Sequence, residues 1–363
     1  MDPMTDDEWD SLRERCTRLL HGSGPVRAAQ MLATIPSDTQ PDSYGKGGVV
    51  AELEAETAAL LGKPAAVFLP SGTMAQQITL RVLAERHGGN VVALHPLAHP
   101  MIGEADAISR LQQLVPRLVG EPNRPLIRTD LDAVAERVAV LLLELPQREI
   151  GGQQPPWDDL KAQVQWAHER GAATHLDGAR IWESAVGYGC TPGDIAQLFD
   201  TVYVSFYKVL GALPGSCIVG SQDVVAEVRE WRKRMGGTLF GLWPDAASAL
   251  TCLRTRAPRV PQYFEQTQAL AAALRDADGI QVVPDPPHTP MFHILLKASP
   301  ETIEANAYAL AAERGIWTWR KGVATGDPTV QRVELAVGDP ACEWEPTAFR
   351  DVLLQLVTPH GRG

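Results

Sequence analysis

The sequence predicts an α/β protein in which a large domain holds a mostly parallel central sheet and the C-terminal part forms a smaller α/β domain. Residues 139–145 (AVLLLEL) are apolar except for Glu144 near the end, as expected of a parallel strand that is buried on both faces. Two further strands end at a carboxylate and beside a lysine. Prolines at 258, 261, 284, 286 and 287 mark the passage from the large domain to the small one. We therefore predict an N-terminal arm (1–45), a large domain (46–255) and a small domain (256–363).

Composition and charge narrow the class of protein. The chain has 363 residues, and 33 Lys and Arg against 44 Asp and Glu give a formal net charge of −11. This charge argues against a nucleic-acid partner and favours a soluble protein. The start, MDPMTDDEWD, is acidic and lacks an apolar leader segment, and no apolar run reaches the length of a membrane span. We expect neither secretion nor membrane insertion.

The cysteines and histidines favour a reducing compartment and no metal centre. Five widely spaced cysteines without a C-x-x-C pair are typical of a cytoplasmic chain that has no structural zinc. His95 and His99 have the i, i+4 spacing of a metal-binding pair, but Pro96 and Pro100 disfavour the helix that such a pair needs. The sequence therefore predicts cytoplasmic localisation and no bound metal.

A strand-to-helix junction is a candidate anion site. The short apolar run AAVFLP precedes Ser71-Gly72-Thr73, which begins a helical segment. A residue without Cβ between two hydroxyl residues at a helix start leaves backbone N–H groups free, and the helix dipole favours an anion there. The same residues also suit an ordinary helix cap, so the junction alone leaves both interpretations open.

A carboxylate and an amine lie at the ends of two predicted strands. Residues 172–176 form a short run that stops at Asp177, and residues 201–206 alternate and end beside Lys208. An open α/β sheet places its ligand at such strand ends. A lysine can form a Schiff base with a carbonyl cofactor, and an aspartate can hold a protonated ring nitrogen, which are the two demands of pyridoxal phosphate. The alternative is a buried ion pair that closes two strands.

Several motifs together resemble the threonine aldolase and β-eliminating lyase family of fold type I pyridoxal phosphate enzymes. They are the Asp-Gly-Ala-Arg run at 177–180, Lys208 after it, and the following Gly-Ala-Leu-Pro-Gly. The resemblance implies an aspartate aminotransferase-like large domain, with pyridoxal 5'-phosphate bound at Lys208 and Asp177. It assigns the phosphate to Gly72, Thr73 and Ser205, and it implies that His99 stacks on the cofactor ring and relays a proton.

The resemblance also implies substrate contacts and an oligomer. Arg180 and Arg332 would hold the carboxylate of a small amino acid, and Tyr44 would help to form the site near a subunit boundary. Solvated arginines, a rim salt bridge at Arg332 and a packed surface tyrosine are the alternatives. The basic helix end that contains Arg232 and Lys233 is similar to a segment that reaches a neighbouring subunit's phosphate in the family. We expect a homodimer or homotetramer.

Two departures from the family pattern bear on the reaction. Gln147 stands where typical threonine aldolases have a histidine, and Tyr207 stands where they commonly have the serine before the lysine. Glutamine cannot take a proton near neutral pH. We predict retro-aldol cleavage of an L-β-hydroxy-α-amino acid to glycine and an aldehyde, with β-elimination or another Cα-carbanion reaction as the alternative. A non-enzymatic regulator or scaffold is the third hypothesis; the charge and the lack of a DNA-binding module disfavour the regulator.

Overall fold

The computed structural model describes residues 5–22 and 28–359, with helices and strands alternating along most of this length. The α-helices in chain order are α1 (Asp6–Arg15), α2 (Ala28–Leu32), α3 (Gly48–Leu60), α4 (Gly72–Arg86), α5 (His99–Ile102), α6 (Ala107–Arg110), α7 (Trp157–Glu169), α8 (Ile181–Tyr188), α9 (Pro192–Ala196), α10 (Gln222–Arg234), α11 (Trp243–Arg256), α12 (Val260–Leu274), α13 (Pro300–Arg314), α14 (Asp339–Cys342) and α15 (Pro346–Val357).

The strands are mostly short, as is usual in α/β proteins. In chain order they are β1 (Arg18–Leu19), β2 (Ala65–Leu69), β3 (Val91–Leu94), β4 (Val115–Leu118), β5 (Val140–Glu144), β6 (Ala173–Gly178), β7 (Thr201–Ser205), β8 (Ser216–Gly220), β9 (Ile280–Val283), β10 (Met291–Leu296), β11 (Ile316–Trp317), β12 (Val323–Ala324) and β13 (Gln331–Ala336).

The contacts divide the chain into two compact units, which we call the large unit (described residues 28–260) and the small unit (5–22 and 261–359). The sequence places a boundary at 255/256, five residues before this division. It groups residues 1–45 as one arm, whereas α1 and β1 lie in the small unit, where β1 pairs with β11. Trp9 of α1 is 1% exposed and packs edge-on against Trp317, so burial of this indole ties the segment to that unit.

The large unit is built on a seven-stranded sheet in the order β2-β8-β7-β6-β5-β3-β4. The strands from β7 through β6, β5 and β3 to β4 are parallel, and β8 runs antiparallel to β7 and β2. This is the mostly parallel α/β sheet that the sequence predicts. Every residue of β6 and β7 is buried, which is why both strands read as apolar runs broken by a few functional residues.

The register aligns the ends of three neighbouring strands. Glu144 of β5 is paired with Asp177 of β6, and Asp177 is paired with Tyr203 of β7. Residues in register on parallel strands point to the same face of a sheet. Three titratable side chains therefore lie in one row across the sheet, near the carboxyl ends of its central strands.

Helix α4 covers this face of the sheet and begins at the same edge. Ile78, Leu80 and Val82 are fully buried in a core that also contains Val92 and Leu142 of the sheet. The Ser71 side chain caps the helix by accepting a hydrogen bond from the backbone N–H of Met74 (3.2 Å). Burial of the helix thus fixes where the Ser71–Thr73 turn stands relative to the strand ends.

The small unit contains a four-stranded antiparallel sheet in the order β12-β13-β10-β9. Strand β10 (Met291–Leu296) is buried at all but one position and pairs with β13 along its full length. Helices α13 and α15 belong to the same unit and contact each other. This is the predicted smaller α/β part of the chain.

Candidate active site

One pocket of the large unit gathers most of the residues that the sequence predicts to be functional. Its empty space is about 400 Å³ including the open mouth. Six predicted residues form part of its wall: Gly72, Thr73, His99, Asp177, Arg180 and Lys208. The wall also contains Glu104 and Tyr207, which lie near predicted site residues in the sequence, and Gln76, Glu144, Arg148 and Tyr203, which the sequence does not assign to the site.

Asp177 is 2% exposed and only one of its carboxylate oxygens is hydrogen-bonded within the described chain. Oδ1 accepts the backbone N–H of Ala179 at 3.1 Å, while Oδ2 accepts none from the described residues. Burial raises the pKa of Asp177, and the nearby His99 and Lys208 act in the opposite direction. A buried carboxylate with one unused oxygen is suited to pair with a cation.

Glu144 is a partly buried acid beside Asp177 that holds the loop above it. Its Oε2 accepts the backbone N–H of His99 at 3.0 Å, and its Oε1 accepts the backbone N–H of Arg148 at 3.1 Å. Burial raises the pKa of Glu144, and the negative charge of Asp177 raises it further. Glu144 therefore positions two residues of the wall while adding acidic character to the pocket.

His99 and Glu104 form a hydrogen-bonded pair in the wall. His99 Nδ1 lies 3.2 Å from Oε1 of Glu104, which is 5% exposed. This hydrogen bond raises the pKa of His99, while desolvation lowers it. When His99 is neutral, donation from Nδ1 to the carboxylate leaves Nε2 as the acceptor. The imidazole lies against Gly103, where a Cβ would come within 2.9 Å of Nε2.

Lys208 and Arg180 bring the positive charge that the sequence predicts. Nζ of Lys208 lies 5.2 Å from the centre of the Tyr207 ring, over its face. Arg180 stands at the start of α8, and its Nε lies 3.7 Å from Oε2 of the buried Glu183. The carboxylate of Glu183 restricts the rotamers of Arg180, so the guanidinium is held in place beside the pocket.

A buried polar chain lies beneath the pocket wall. His175 is fully buried; its Nδ1 lies 2.7 Å from Oγ1 of Thr201, and its Nε2 lies 2.7 Å from Oε1 of Gln76. Burial lowers the pKa of His175 to about 3, so the ring is neutral. Gln76 in turn belongs to the wall, and its buried Nε2 has no hydrogen-bond partner among the described residues.

Three predicted site residues do not line this pocket. Ser205 is 1% exposed and lies outside the wall, which is formed instead by Tyr203 and Tyr207, two residues away on either side. Tyr44 is 55% exposed and packs edge-on against Phe240. Arg332 lies on β13 of the small unit, where it is paired with Leu295 and Val323. Their predicted roles stay predictions.

Arg232 is a buried residue rather than an outward-facing cation. It is 2% exposed, and its Nη1 donates to the carbonyl oxygen of Phe68 at 2.6 Å. Its guanidinium fills the space beside Gly45, where a Cβ would overlap it, and Gly45 has a positive φ of 72° that glycine adopts without strain. Arg232 thus supports the Tyr44–Gly45 turn. The other two cations of this helix end, Lys233 and Arg234, are exposed.

The structure also shows what occupies the position of the missing histidine. Gln147 lies outside the pocket, and its Nε2 donates to the carbonyl oxygen of Leu97 at 2.9 Å and to Oε2 of Glu144 at 3.3 Å. The next residue, Arg148, belongs to the wall, and its Nη1 is ion-paired with Glu149 at 3.1 Å. Arg148 is not among the residues that the sequence assigns to the site, and its place just after the end of β5 is the signal that points to it.

The donors and acceptors of the pocket fit pyridoxal phosphate. Asp177 offers a free carboxylate oxygen to a protonated ring nitrogen, and Lys208 offers an amine to the aldehyde. The start of α4 offers backbone N–H groups to the phosphate. The unpartnered Nε2 of Gln76 is a buried donor of the kind that a bound ligand satisfies.

Comparison with known proteins agrees with this geometry. Residues 21–298 match the family model described as "Beta-eliminating lyase". The low-specificity L-threonine aldolase of Escherichia coli K12 is 30% identical over 257 residues, which is 69% of this chain and 76% of that protein. The crystal structure of a putative L-allo-threonine aldolase from Listeria monocytogenes is 36% identical and has a TM-score of 0.90, covering 97% of this chain and 98% of that one.

More distant structures show the fold alone. One is of a protein named SPT, with PLP bound; it is 17% identical, has a TM-score of 0.65 and covers 97% of this chain and 83% of that chain. The family match and the composition of the pocket wall identify pyridoxal phosphate as the cofactor. The chain belongs to the threonine aldolase and β-eliminating lyase family of fold type I pyridoxal phosphate-dependent enzymes.

Proposed function

We propose that the protein cleaves the Cα–Cβ bond of an L-β-hydroxy-α-amino acid of the threonine or allo-threonine type, giving glycine and an aldehyde. The observation that carries this proposal is the His99–Glu104 pair in the same pocket wall as Lys208 and Asp177. A retro-aldol cleavage needs a base for the hydroxyl proton and an acceptor for the electron pair left on Cα. The pocket supplies His99 as the base, and Lys208 and Asp177 are placed to hold the cofactor that would accept the electron pair.

Bound pyridoxal phosphate supplies the electron sink that accepts the pair from Cα. Asp177 keeps the ring nitrogen protonated through its free oxygen, since an ionised carboxylate next to an N–H⁺ forms a charge-assisted hydrogen bond. Lys208 anchors the cofactor through its amine. Arg180 binds the substrate carboxylate, and we assign the same task to Arg332.

His99 removes the hydroxyl proton. With Nδ1 held by Glu104, the neutral ring presents Nε2 as the acceptor. As the O–H bond breaks, its electron pair forms the carbonyl of the aldehyde, the Cα–Cβ bond breaks, and Cα is then protonated to give glycine. Glu104 stabilises the imidazolium that forms, because its carboxylate accepts the Nδ1 proton in both states.

The position of Gln147 bears on whether one residue or two can remove the proton of the substrate hydroxyl group. In this chain its amide is engaged by Leu97 and Glu144, so it contributes neither a proton acceptor nor a wall contact. We propose that His99 alone acts on the hydroxyl group and that Arg148 contacts the substrate beside Cβ, where its charge influences side-chain preference.

β-Elimination from a small amino acid is the second candidate. It uses the same cofactor and the same residues around Cα, and it is favoured by the lack of a second histidine at position 147. The two reactions differ in which bond at Cβ breaks. Elimination releases a leaving group and yields pyruvate and ammonia from serine or cysteine, whereas retro-aldol cleavage yields glycine and an aldehyde.

The test is a product assay on the purified enzyme loaded with pyridoxal phosphate. We expect glycine and the matching aldehyde from L-threonine, L-allo-threonine or L-phenylserine, and no pyruvate from L-serine or L-cysteine. A His99→Asn variant should lose roughly 10²- to 10⁴-fold in kcat. Pyruvate and ammonia as the main products would replace the aldolase proposal with elimination, and absence of turnover of all five substrates would contradict both.

We also propose that the enzyme is a cytoplasmic homodimer or homotetramer. Large apolar side chains cluster near the Tyr44 turn: Tyr44 (55% exposed), Leu239 (45%), Phe240 (75%) and Trp243 (36%). We call these four residues the aromatic patch, and exposed patches of this kind commonly mark interfaces. Cys16, Cys190, Cys217 and Cys252 are free thiols, which favours a reducing compartment. Within the described residues no helix combines the length and apolar character needed to span a membrane.

A further inference from the structure

The anion-binding turn at the start of α4 is crowded by two phenols. A Cβ on Gly72 would overlap the hydroxyl of Tyr203 and would lie 3.2 Å from the hydroxyl of Tyr207. Both hydroxyls are therefore within a few ångströms of the backbone at the first position of the helix. Gly72, Thr73 and both tyrosines share the wall of the same pocket.

The sequence positions of the two tyrosines explain how they reach one point. Tyr203 lies on β7 in register with Asp177, so its side chain points to the face that α4 covers. Tyr207 follows the end of that strand, directly before Lys208, and is 37% exposed. One phenol thus approaches the turn from the sheet and the other from the loop that carries the cofactor lysine.

Both hydroxyls can donate. Tyr203 is 3% exposed, and burial, together with the neighbouring Tyr207 and Asp177, raises its pKa well above the usual range, so it keeps its proton. A protonated phenol near a phosphate is a donor in a charge-assisted hydrogen bond, the stronger class of hydrogen bond in proteins. Each hydroxyl also lies where the dipole of α4, a 15-residue helix, already favours negative charge.

The other candidates for binding a phosphate are engaged or absent. Ser205 does not line the pocket, and residues 70–77 contain no lysine or arginine. The wall arginines, Arg148 and Arg180, are each placed next to an acid, Glu149 and Glu183 respectively. The turn therefore offers a phosphate monoester its backbone N–H groups, the hydroxyl of Thr73 and the two phenols.

We propose that the hydroxyls of Tyr203 and Tyr207 donate hydrogen bonds to the phosphate group of pyridoxal phosphate, in the place that the sequence assigns to Ser205. Gly72 is required at the turn because the Tyr203 hydroxyl occupies the volume of a Cβ. The proposal rests on the cofactor and is independent of which reaction the enzyme catalyses.

The experiment compares two ligands that differ only in the phosphate. Apoprotein is titrated with pyridoxal 5'-phosphate and with pyridoxal, and binding is measured by the visible absorbance of the adduct with Lys208. The variants are Tyr207→Phe, Tyr203→Phe and both together. Tyr188→Phe is the matched control, because the Tyr188 hydroxyl donates to the carbonyl oxygen of Pro155 and lies outside the pocket.

We expect each pocket variant to weaken pyridoxal phosphate binding about tenfold, the range of one hydrogen bond to a charged group. The affinity for pyridoxal should change by less than about twofold, and Tyr188→Phe should change neither. Equal losses for both ligands would show that the phenols act on the ring or on Lys208, and an unchanged phosphate preference in Tyr207→Phe would overturn the proposal outright.

A second measurement does not depend on the adduct with Lys208. Inorganic phosphate should raise the melting temperature of the parent apoprotein, and this rise should be smaller in the double variant and undiminished in Tyr188→Phe. If Tyr203→Phe does not fold, Tyr207→Phe decides the matter alone, since Tyr207 is partly exposed and truncation of its hydroxyl disturbs no core packing. A full phosphate response in a folded Tyr207→Phe protein would contradict the proposal.

Discussion

The acidic residues of the pocket determine its behaviour with pH. Asp177 is 2% exposed, Glu104 is 5% exposed and Glu144 is partly buried. Each of these acids is close to His99 or holds its backbone. Burial raises the pKa of both Asp177 and Glu144, while the hydrogen bond to Glu104 raises that of His99. Ionisation in this pocket is therefore coupled to cofactor binding and to the proposed base.

The His99–Glu104 hydrogen bond should set the acidic limb of the activity profile. As a base His99 has to be neutral, so kcat/KM falls as the pH drops through its pKa, which the contact with Glu104 raises above the usual value near 6.5. Replacing Glu104 with Gln keeps an acceptor but removes the charge, and the limb should move to lower pH. A pH series of kcat/KM measures this shift.

Glu149→Gln is the control for that profile, because Glu149 pairs with Arg148 and not with His99. It should leave the acidic limb where it is. A Glu104→Gln enzyme whose limb coincides with the parent's would show that another group, rather than His99, carries the titration.

Asp177 should destabilise the cofactor-free protein as the pH rises. Its native pKa is raised by burial, whereas in the unfolded chain it is near 3.9, so from about pH 4 upward the folded state retains a proton that the unfolded state releases. The free energy of unfolding then falls with pH until the native group is ionised. At pH 8 apo Asp177→Asn should be more stable than the parent by roughly 1–3 kcal/mol, an advantage that disappears towards pH 4.

Urea denaturation of both apoproteins at pH 4.5 and pH 8 measures that difference. Asp158→Asn is the control, because this exposed acid of α7 should shift stability by no more than about 0.5 kcal/mol at either pH. The same Asp177→Asn substitution should weaken pyridoxal phosphate binding, since it removes the charge that pairs with the ring nitrogen. Equal stability of the two apoproteins at both pH values would contradict the conclusion that burial raises the pKa of Asp177.

At the level of elements, α4 connects core packing with cofactor binding. The helix carries Gly72 and Thr73 at its first turn, Gln76 one turn later and the fully buried Ile78 beyond. A cavity under Ile78 should therefore loosen the phosphate turn as well as the core. Ile78→Ala should lower the free energy of unfolding by about 2–5 kcal/mol.

The matched control on the same helix is Glu85→Ala, whose side chain is exposed and pairs only with Arg81 one turn away. It should cost within about 0.5 kcal/mol. Added pyridoxal phosphate should recover part of the melting temperature of Ile78→Ala by mass action. Loss of stability in Glu85→Ala as large as in Ile78→Ala would show that the helix is not anchored by its buried face.

At the level of the whole molecule, the aromatic patch should be the contact between copies of the chain. The Tyr44 backbone N–H donates to the carbonyl oxygen of Phe240 at 2.9 Å, and Oδ1 of the buried Asp42 accepts from the N–H of Leu242 at 2.7 Å. The two loops that carry the patch are thus held together within one chain. Such preorganisation lowers the entropic cost of association.

Phe240→Asp should shift the protein from a dimer or tetramer to smaller species, as measured by light scattering or sedimentation at micromolar concentration. A desolvated charge at the centre of an interface is strongly unfavourable. Leu111→Asp is the control, because Leu111 is an exposed apolar residue outside the patch. An unchanged mass for Phe240→Asp, or a monomeric parent protein, would contradict this interface.

Much of the fold could be predicted because local patterns agreed with the tertiary structure. The run predicted as a strand at 139–145 is the strand Val140–Glu144, and the run predicted to stop at Asp177 is the strand Ala173–Gly178. The helical segment predicted to begin at Ser71-Gly72-Thr73 is the helix Gly72–Arg86, whose N-cap is Ser71. The capping residues and buried apolar runs that mark such elements are neighbours in the sequence, so they can be recognised before the fold is known.

The sequence by itself determined the family, the cofactor and the places where strands end at Asp177 and near Lys208, because these depend on motifs of a few neighbouring residues. Tertiary structure decided which side chains form the pocket wall. Gln147 lies outside it because its amide bonds to Leu97, fifty residues away, and Tyr203 belongs to it because β7 is in register with β6 and lies beneath α4. Contacts between distant segments leave no local pattern, so they emerge only when the chain is folded.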